Sequence, residues 1–278
     1  MRPVRAGVSA ILRAAPQLRP YVEKLLWRGF YEIASLRGNE GRTTLMNYGY
    51  AVSDQPEPGG AEDRFGLALY EVVAGAADIA GKEVLEVGCG RGGGSAFVFE
   101  RFAPSAMTGM DLARTAIERC RRRYGRPGLT FLTGDAQELP FAAGSFDAVI
   151  NVESSHCYPD VARFLGEVVR VLRPGGLLLF TDFRPVVTSS EYPQEDIQVL
   201  YRQLADAGLR IVEEEEITTA VVRALSLATP SVRARVERRV PRPLRRYALE
   251  FSAVEGSAIF RSFADGSLTY RRFVLEKG

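Results

Sequence analysis

The stretch that most constrains the fold is VLEVGCGRGGGSAFVFERF, Val84 to Phe102. It opens with β-forming residues, crowds glycine into its middle and closes with apolar residues at helical spacing. That is a strand, a tight turn and a helix. Glycines in such a turn take backbone conformations that other residues avoid, and they let a ligand approach the main chain without meeting a Cβ. Gly88, Gly90 and Gly93 satisfy G-x-G-x-x-G, a spacing shared by more than one kind of nucleotide cofactor site.

The rest of the chain extends this beginning into a layered α/β domain. Strands are expected at EVLEV, AMTGMD, LTFLTGD, FDAVINV and GGLLLFTDF, with helices between them, the clearest being DVARFLGEVVRVL. Apolar strands alternating with helices imply a parallel sheet covered on both faces. A length of 278 residues suits one such domain with additions. Residues 1–65 read as an N-terminal helical cap, with Val22, Leu25, Leu26, Phe30 and Ile33 at helical spacing and Trp27 packing among them. Arg13 and Pro16 interrupt the short apolar patch before it, which therefore reads as a helix or loose arm and not as a signal sequence. Residues 66–278 form the α/β domain, within which residues 184–250 are expected to be a lid or substrate-facing insertion before the last strand, LTYRRFVLEKG.

Composition excludes several classes. A net charge of +2 favours no particular partner. The three cysteines lack C-x-x-C spacing, so neither a disulfide framework nor a zinc site is expected, and a reducing cytoplasm fits. No carboxylate/histidine cluster at ligand spacing implies a metal. No apolar run reaches the length of a membrane span. RARVERRVPRPLRR carries seven arginines. It reads either as a solvated helix face or as a surface that meets anionic lipid or an acidic carrier. Without aromatic interleaving it does not suggest nucleic acid. A homodimer is left open.

The acidic residues narrow the cofactor. In a dinucleotide site a pyrophosphate rests at the helix N-terminus, where the dipole favours negative charge. Glu86 stands two residues before the first glycine, and a carboxylate there is expected to repel a pyrophosphate. It suits a cofactor with positive charge. S-adenosylmethionine carries a sulfonium and an α-ammonium and no phosphate. The next strand ends in GMDLA, where Asp111, beside Leu112, is placed to accept from ribose hydroxyls or to cap the following helix. The third strand ends in GDAQELPF, where Asp135 suits an adenine amino group and Ala136 offers a backbone N–H. The fourth ends in NVESSHCYPD, which contributes Asn151. Together these residues line the carboxyl edge of the sheet, where open α/β folds bind ligands.

LEVGCGRGG, GMDLA, GDAQELPF, SFDAVINVESSHCYPD and VLRPGG resemble the class I S-adenosylmethionine-dependent methyltransferases. NVESSHCYP, EVVRVLRPGG and NYGY are similar to the mycobacterial phthiotriol/phenolphthiotriol dimycocerosate O-methyltransferases, and the likeness extends over most of the chain. The resemblance implies a Rossmann-like seven-stranded, mostly parallel sheet with the last strand antiparallel. It implies transfer of a methyl group to a hydroxyl of a lipid, polyketide or similar secondary metabolite. The alternative is an S-adenosylmethionine-binding cyclase or C-methyltransferase.

An alcohol is a poor nucleophile, so a base is expected. His156, the only histidine, follows the fourth strand on the cofactor side. Asp182 ends the adjacent strand and can orient it. In related sugar O-methyltransferases a histidine and an aspartate act as the base pair, and the resemblance carries that role onto His156 and Asp182. NYGY either packs the cap onto the core or folds over the cofactor, with Tyr48 reaching the methionine part. Glu153 is either a site residue or a tie for the loop around His156.

Overall fold

The computed structural model describes residues 44–53, 63–188 and 195–278. The expected cap over residues 1–43, Trp27 included, lies outside the described residues. In chain order the elements are α1 (Arg64–Ala74), β1 (Glu83–Val87), α2 (Gly93–Phe102), β2 (Ala106–Asp111), α3 (Arg114–Tyr124), β3 (Leu129–Thr133) and β4 (Phe146–Val152). A short 3-10 turn over Ser155–Cys157 leads to α4 (Val161–Val171) and β5 (Leu172–Pro185). There follow α5 (Ile197–Asp206), β6 (Leu209–Glu216), α6 (Thr218–Arg239), α7 (Arg242–Phe251), α8 (Ala258–Ala264) and β7 (Leu268–Lys277).

The seven strands form one sheet in the order β3-β2-β1-β4-β5-β7-β6. All pairs are parallel except those of β7, which runs antiparallel to β5 and β6. Winding reverses between β1 and β4, so their carboxyl ends border the crevice in which such sheets take ligands.

The period-two alternation of strand side chains separates two cores. Val84, Met107, Ile150 and Leu179 point to the face covered by α1, α2, α3, α6 and α8. Leu85, Met110, Val149 and Phe180 point to the face covered by α4 and α5. Helix α4 shows why these residues form a helix: Val161, Phe164, Leu165, Val168 and Val171 fall on one buried stripe, and the Asp160 side chain caps the first turn by accepting from Arg163 N–H. Burying each of its large apolar side chains stabilises the fold by about 1.5–3 kcal/mol.

Two expectations about boundaries change. The division at 65/66 falls inside α1. The stretch 184–250 is not one insertion: α5 covers the sheet, and β6 is its edge strand. The excursion beyond the layers is α6 to α8. The acidic run Glu213–Glu216 stays in the strand because β7 sets Arg271 and Arg272 opposite it, with Arg271 Nη1 2.6 Å from Glu214 and Arg272 Nη2 2.9 Å from Glu215. Among the described residues no helix is long and apolar enough to cross a membrane.

Candidate active site

A cavity opens at the carboxyl edge of β1, β2, β3 and β4, where sheets of this kind take small molecules. Its walls are the glycine loop, the ends of β2 and β3, the turn after β4, and residues 44–47. The glycines have separate duties. Gly88 takes a φ of +83°, and a Cβ on it would lie 2.3 Å from Ser154 Oγ. Gly90, at +52°, faces open space: a Cβ there would meet nothing within 4 Å and would project into the cradle. Gly93 makes room for Thr44, whose Oγ1 would be 2.4 Å from its Cβ.

Of the residues singled out in the sequence, Gly88, Gly90, Asp111, Leu112, Asp135 and Ala136 line this cavity together. Asp111 Oδ2 accepts from Gly90 N–H at 2.9 Å and Oδ1 from Ala113 N–H at 2.9 Å. Asp111 thereby shapes the glycine loop, and a carboxylate retains further lone pairs for ribose hydroxyls. Asp135 Oδ1 accepts from Gln137 N–H at 3.0 Å, which fixes the turn after β3.

Three residues stand elsewhere. Glu86 is fully buried under α1 and α2 and does not line the cavity. Its Oε1 accepts from the Tyr70 hydroxyl at 2.6 Å and its Oε2 from the Ser95 hydroxyl. Burial raises its pKa, against the pull of those two hydroxyls. Asn151 is also buried off the cavity, its amide donating to Val87 O at 2.9 Å and Ser154 Oγ at 2.8 Å. It ties the turn after β4 to the glycine loop. Tyr48 packs on Phe183 at 5.7 Å and Phe263 at 5.9 Å between ring centroids, away from the cavity wall. The preceding residues, 44–47, line the cavity instead.

Glu153 lines the cavity and holds a left-handed backbone, φ +50°, a conformation that costs a non-glycine residue of order 1–3 kcal/mol. Its Oε2 accepts from Tyr48 N–H at 2.7 Å and from the Tyr270 hydroxyl at 2.8 Å. Burial pushes its pKa up to about 8, against the pull of Tyr48 N–H and the His156 charge. It is therefore both a wall of the site and a tie to the NYGY segment. Arg91, Tyr70 and Tyr158 also line the cavity, and no spacing in the sequence marks them.

His156 Nδ1 lies 2.8 Å from Asp182 Oδ1. A carboxylate can only accept, so Nδ1 carries the hydrogen and the neutral ring offers its lone pair at Nε2. Asp182 Oδ2 accepts from Ser155 Oγ at 2.6 Å and His156 N–H at 2.9 Å, and Arg184 Nη1 stands 3.3 Å away. Burial opposes the Asp182 charge, but the His156 and Arg184 charges and these hydrogen bonds hold its pKa far below the usual range. For His156, burial opposes the imidazolium, yet Cys157 and Asp182 outweigh it and place the pKa well above the ordinary value. The ring packs on Phe183 at 4.5 Å between centroids. The dyad stands beside the cavity, next to the lining residue Cys157.

The cavity's ionisable lining fits a cation. Asp111, Asp135 and Glu153 face it with Arg91 as the lining's one basic side chain among the described residues. A pyrophosphate would meet the carboxylates of Asp111 and Asp135, whereas a sulfonium and an ammonium would be stabilised by them and would favour the ionised form of Glu153 as well. A methyltransferase-domain family profile matches residues 85–180, the segment holding these walls. The chain is 37% identical over 258 residues to a phthiotriol/phenolphthiotriol dimycocerosates methyltransferase from Mycobacterium tuberculosis, covering 91% of this chain and 93% of that protein. It is 37% identical over 279 residues to a fatty-acid O-methyltransferase from Mycolicibacterium smegmatis, covering 98% and 97%. Among solved structures, geranyl diphosphate C-methyltransferase from Streptomyces coelicolor A3(2), in complex with S-adenosyl-L-homocysteine, superposes with a TM-score of 0.68 at 20% identity, over 89% of this chain and 98% of that one. Sheet order, glycine cradle, cation-favouring walls and these relatives agree: the chain belongs to the class I S-adenosylmethionine-dependent methyltransferases, in the group of the phthiotriol/phenolphthiotriol dimycocerosates enzymes.

Proposed function

We propose that the chain methylates a hydroxyl oxygen of a lipid-like acceptor, with His156 as general base and Asp182 as its positioning partner. The observation that carries this reading is the 2.8 Å contact between His156 Nδ1 and Asp182 Oδ1 beside the cavity. It also favours one of two acceptors suggested by the relatives' names. A fatty acid is already ionised near neutral pH and needs no base, whereas an alcohol does. A buried, oriented imidazole suits the alcohol, whose proton it can take.

The cofactor supplies an electrophilic methyl group on a positively charged sulfur. The chain's own residues do the rest. Asp111 and Asp135 hold the nucleoside at the ends of β2 and β3, while the glycine loop and residues 44–47 enclose the methionine part. His156 Nε2 takes the hydroxyl proton, and Asp182 supports the imidazolium that forms. The aromatic cluster of Tyr48, Phe183, Phe263 and Tyr270 keeps water from the dyad. Residues 44–53 and helices α6 to α8 supply the acceptor wall. None of the three cysteines is in a disulfide, which supports work in a reducing compartment such as the cytoplasm.

The test is mass spectrometry of long-chain alcohols and their matched fatty acids after incubation with S-adenosylmethionine. A gain of one methyl on the alcohol oxygen supports the proposal. Methylation of the acid alone, a new carbon–methyl bond, or a cyclised product with no gain in mass would overturn it.

A further inference from the structure

We propose that α7 is an interfacial helix that docks the enzyme on an anionic lipid surface. None of its ten residues is buried. Leu244, Tyr247 and Phe251, spaced i, i+3 and i+7, fall on one face and are 41%, 53% and 47% exposed. Arg242 and Arg246, spaced i and i+4, are exposed on the side of the helix away from that ridge. Residues between the two sides fasten the helix. Arg245 Nε donates to Val240 O at 3.0 Å, and Glu250 Oε1 accepts from Ala258 N–H at 2.7 Å and from Ile259 N–H at 3.2 Å. The apolar ridge is thus presented by a helix whose orientation its neighbours set.

Charge says what the ridge meets. Residues 231–251 hold seven arginines and two glutamates, a net charge of +5 in a chain whose total is +2. The remainder of the protein is therefore net acidic, and its positive charge is concentrated around this helix. Arg238 and Arg239, at the end of α6, are exposed beside it. An apolar and aromatic ridge on one face, with arginines on the other face and at the adjoining end of α6, is the pattern of a helix lying in a bilayer interface, with tyrosine at headgroup depth. A second copy of the same patch would be repelled by like charge. An acidic carrier protein would satisfy the arginines and leave the ridge unexplained. The neighbouring helix α6 carries Arg235, whose charge reaches the lining residue Arg91: burial lowers the Arg91 pKa, Asp63 raises it, and Arg235 lowers it further. Docking through α7 sets the cavity close to the lipid surface.

The experiment is flotation of the full chain with vesicles of phosphatidylglycerol and phosphatidylcholine in equal parts, against phosphatidylcholine alone. Two variants are compared, Leu244→Asp/Tyr247→Asp and Arg242→Glu/Arg246→Glu, each shown by calorimetry to bind S-adenosylmethionine as the wild type does. Should the aspartate pair lose cofactor binding, Tyr247→Ser replaces it. The wild type is expected to float with the anionic vesicles only, and less so as salt is raised. The ridge variant is expected to lose at least tenfold in partitioning. The arginine variant is expected to lose about fivefold for each charge removed, and more for each reversed. Equal partitioning onto neutral vesicles, no partitioning by the wild type, or unchanged partitioning by either variant overturns the proposal. Capture by an acyl carrier protein without vesicle binding would replace it with the carrier reading.

Discussion

Asp182→Asn is the most informative single change, because its consequences can be worked atom by atom. Asp182 is 3% exposed. Its Oδ1 accepts from His156 Nδ1–H and Phe183 N–H, both at 2.8 Å, and its Oδ2 accepts from Ser155 Oγ at 2.6 Å and His156 N–H at 2.9 Å. Asparagine offers one oxygen and one NH2 to these four donors. If its oxygen keeps the Ser155 and His156 main-chain bonds, its NH2 faces Nδ1. The imidazole then carries its hydrogen on Nε2, where the hydroxyl proton must arrive. A base in the wrong tautomer loses about 10²–10⁴ in kcat. Arg184, 2% exposed, loses its carboxylate, which costs about 3–5 kcal/mol of stability. Activity must therefore be read at a temperature where calorimetry shows the variant folded. The assay is the single-turnover methylation rate with saturating cofactor, from about pH 6 to 10. Only the neutral imidazole accepts a proton, so the wild-type rate rises with pH through the raised His156 pKa. Without Asp182 that limb moves to lower pH while the plateau falls. A limb that stays in place, or a plateau equal to the wild type's with chemistry limiting, would refute the orienting role.

A cation in the cavity favours the carboxylate form of Glu153, whose pKa burial sets at about 8. S-adenosylmethionine affinity is then expected to weaken as pH falls below that value, by up to tenfold per unit, and Glu153→Gln should flatten this slope in calorimetric titrations; parallel slopes in the two proteins would remove Glu153 from the cation's surroundings. Asp111→Ala removes the acceptor for Gly90 N–H and for the ribose, so binding should weaken by roughly 1–3 kcal/mol, with an unchanged Kd counting against the assignment. Gly88→Ala forces a Cβ to within 2.3 Å of Ser154 Oγ in a left-handed conformation, and cofactor binding should be lost in calorimetry while far-ultraviolet circular dichroism stays that of the wild type.

Much of this arrangement was legible because the relevant signals are local. Alternation and helical spacing identify β1 to β5 and α4, since strand and helix periods differ. Asp111 and Asp135 were readable because each is an acidic residue at or just past the end of a strand, which is where an open sheet exposes side chains to a ligand. The extent of β6 was less so. Four successive glutamates suggest a solvated loop until β7 is known to place Arg271 and Arg272 against them. The same holds for residues 44–47, whose place on the cavity wall depends on Gly93 admitting Thr44. That contact spans almost fifty positions, and no local pattern reports it.

Glu86 shows a more general limit. A carboxylate two residues before the glycine turn looks as though it must reach the ligand, and the expected rejection of a pyrophosphate rested on it. Strand geometry decides otherwise. Glu86 shares the face of Val84, and that face is covered by α1 and α2. While the backbone remains in the sheet, side chains point to its faces and not over its edge. Two hydroxyls, from Tyr70 and Ser95, support the buried group, so Glu86 joins two helices to the central strand. The acidic residues that line the cavity are instead Asp111, Asp135 and Glu153, all at or past strand ends, where the chain has left the pleat, and the proposed discrimination in favour of a cation rests on them. Glu153 reaches the cavity by taking a left-handed backbone directly after β4. In a fold of this kind, a charged residue inside the strand joins the sheet to its helices, and a charged residue beyond the strand's end selects the ligand.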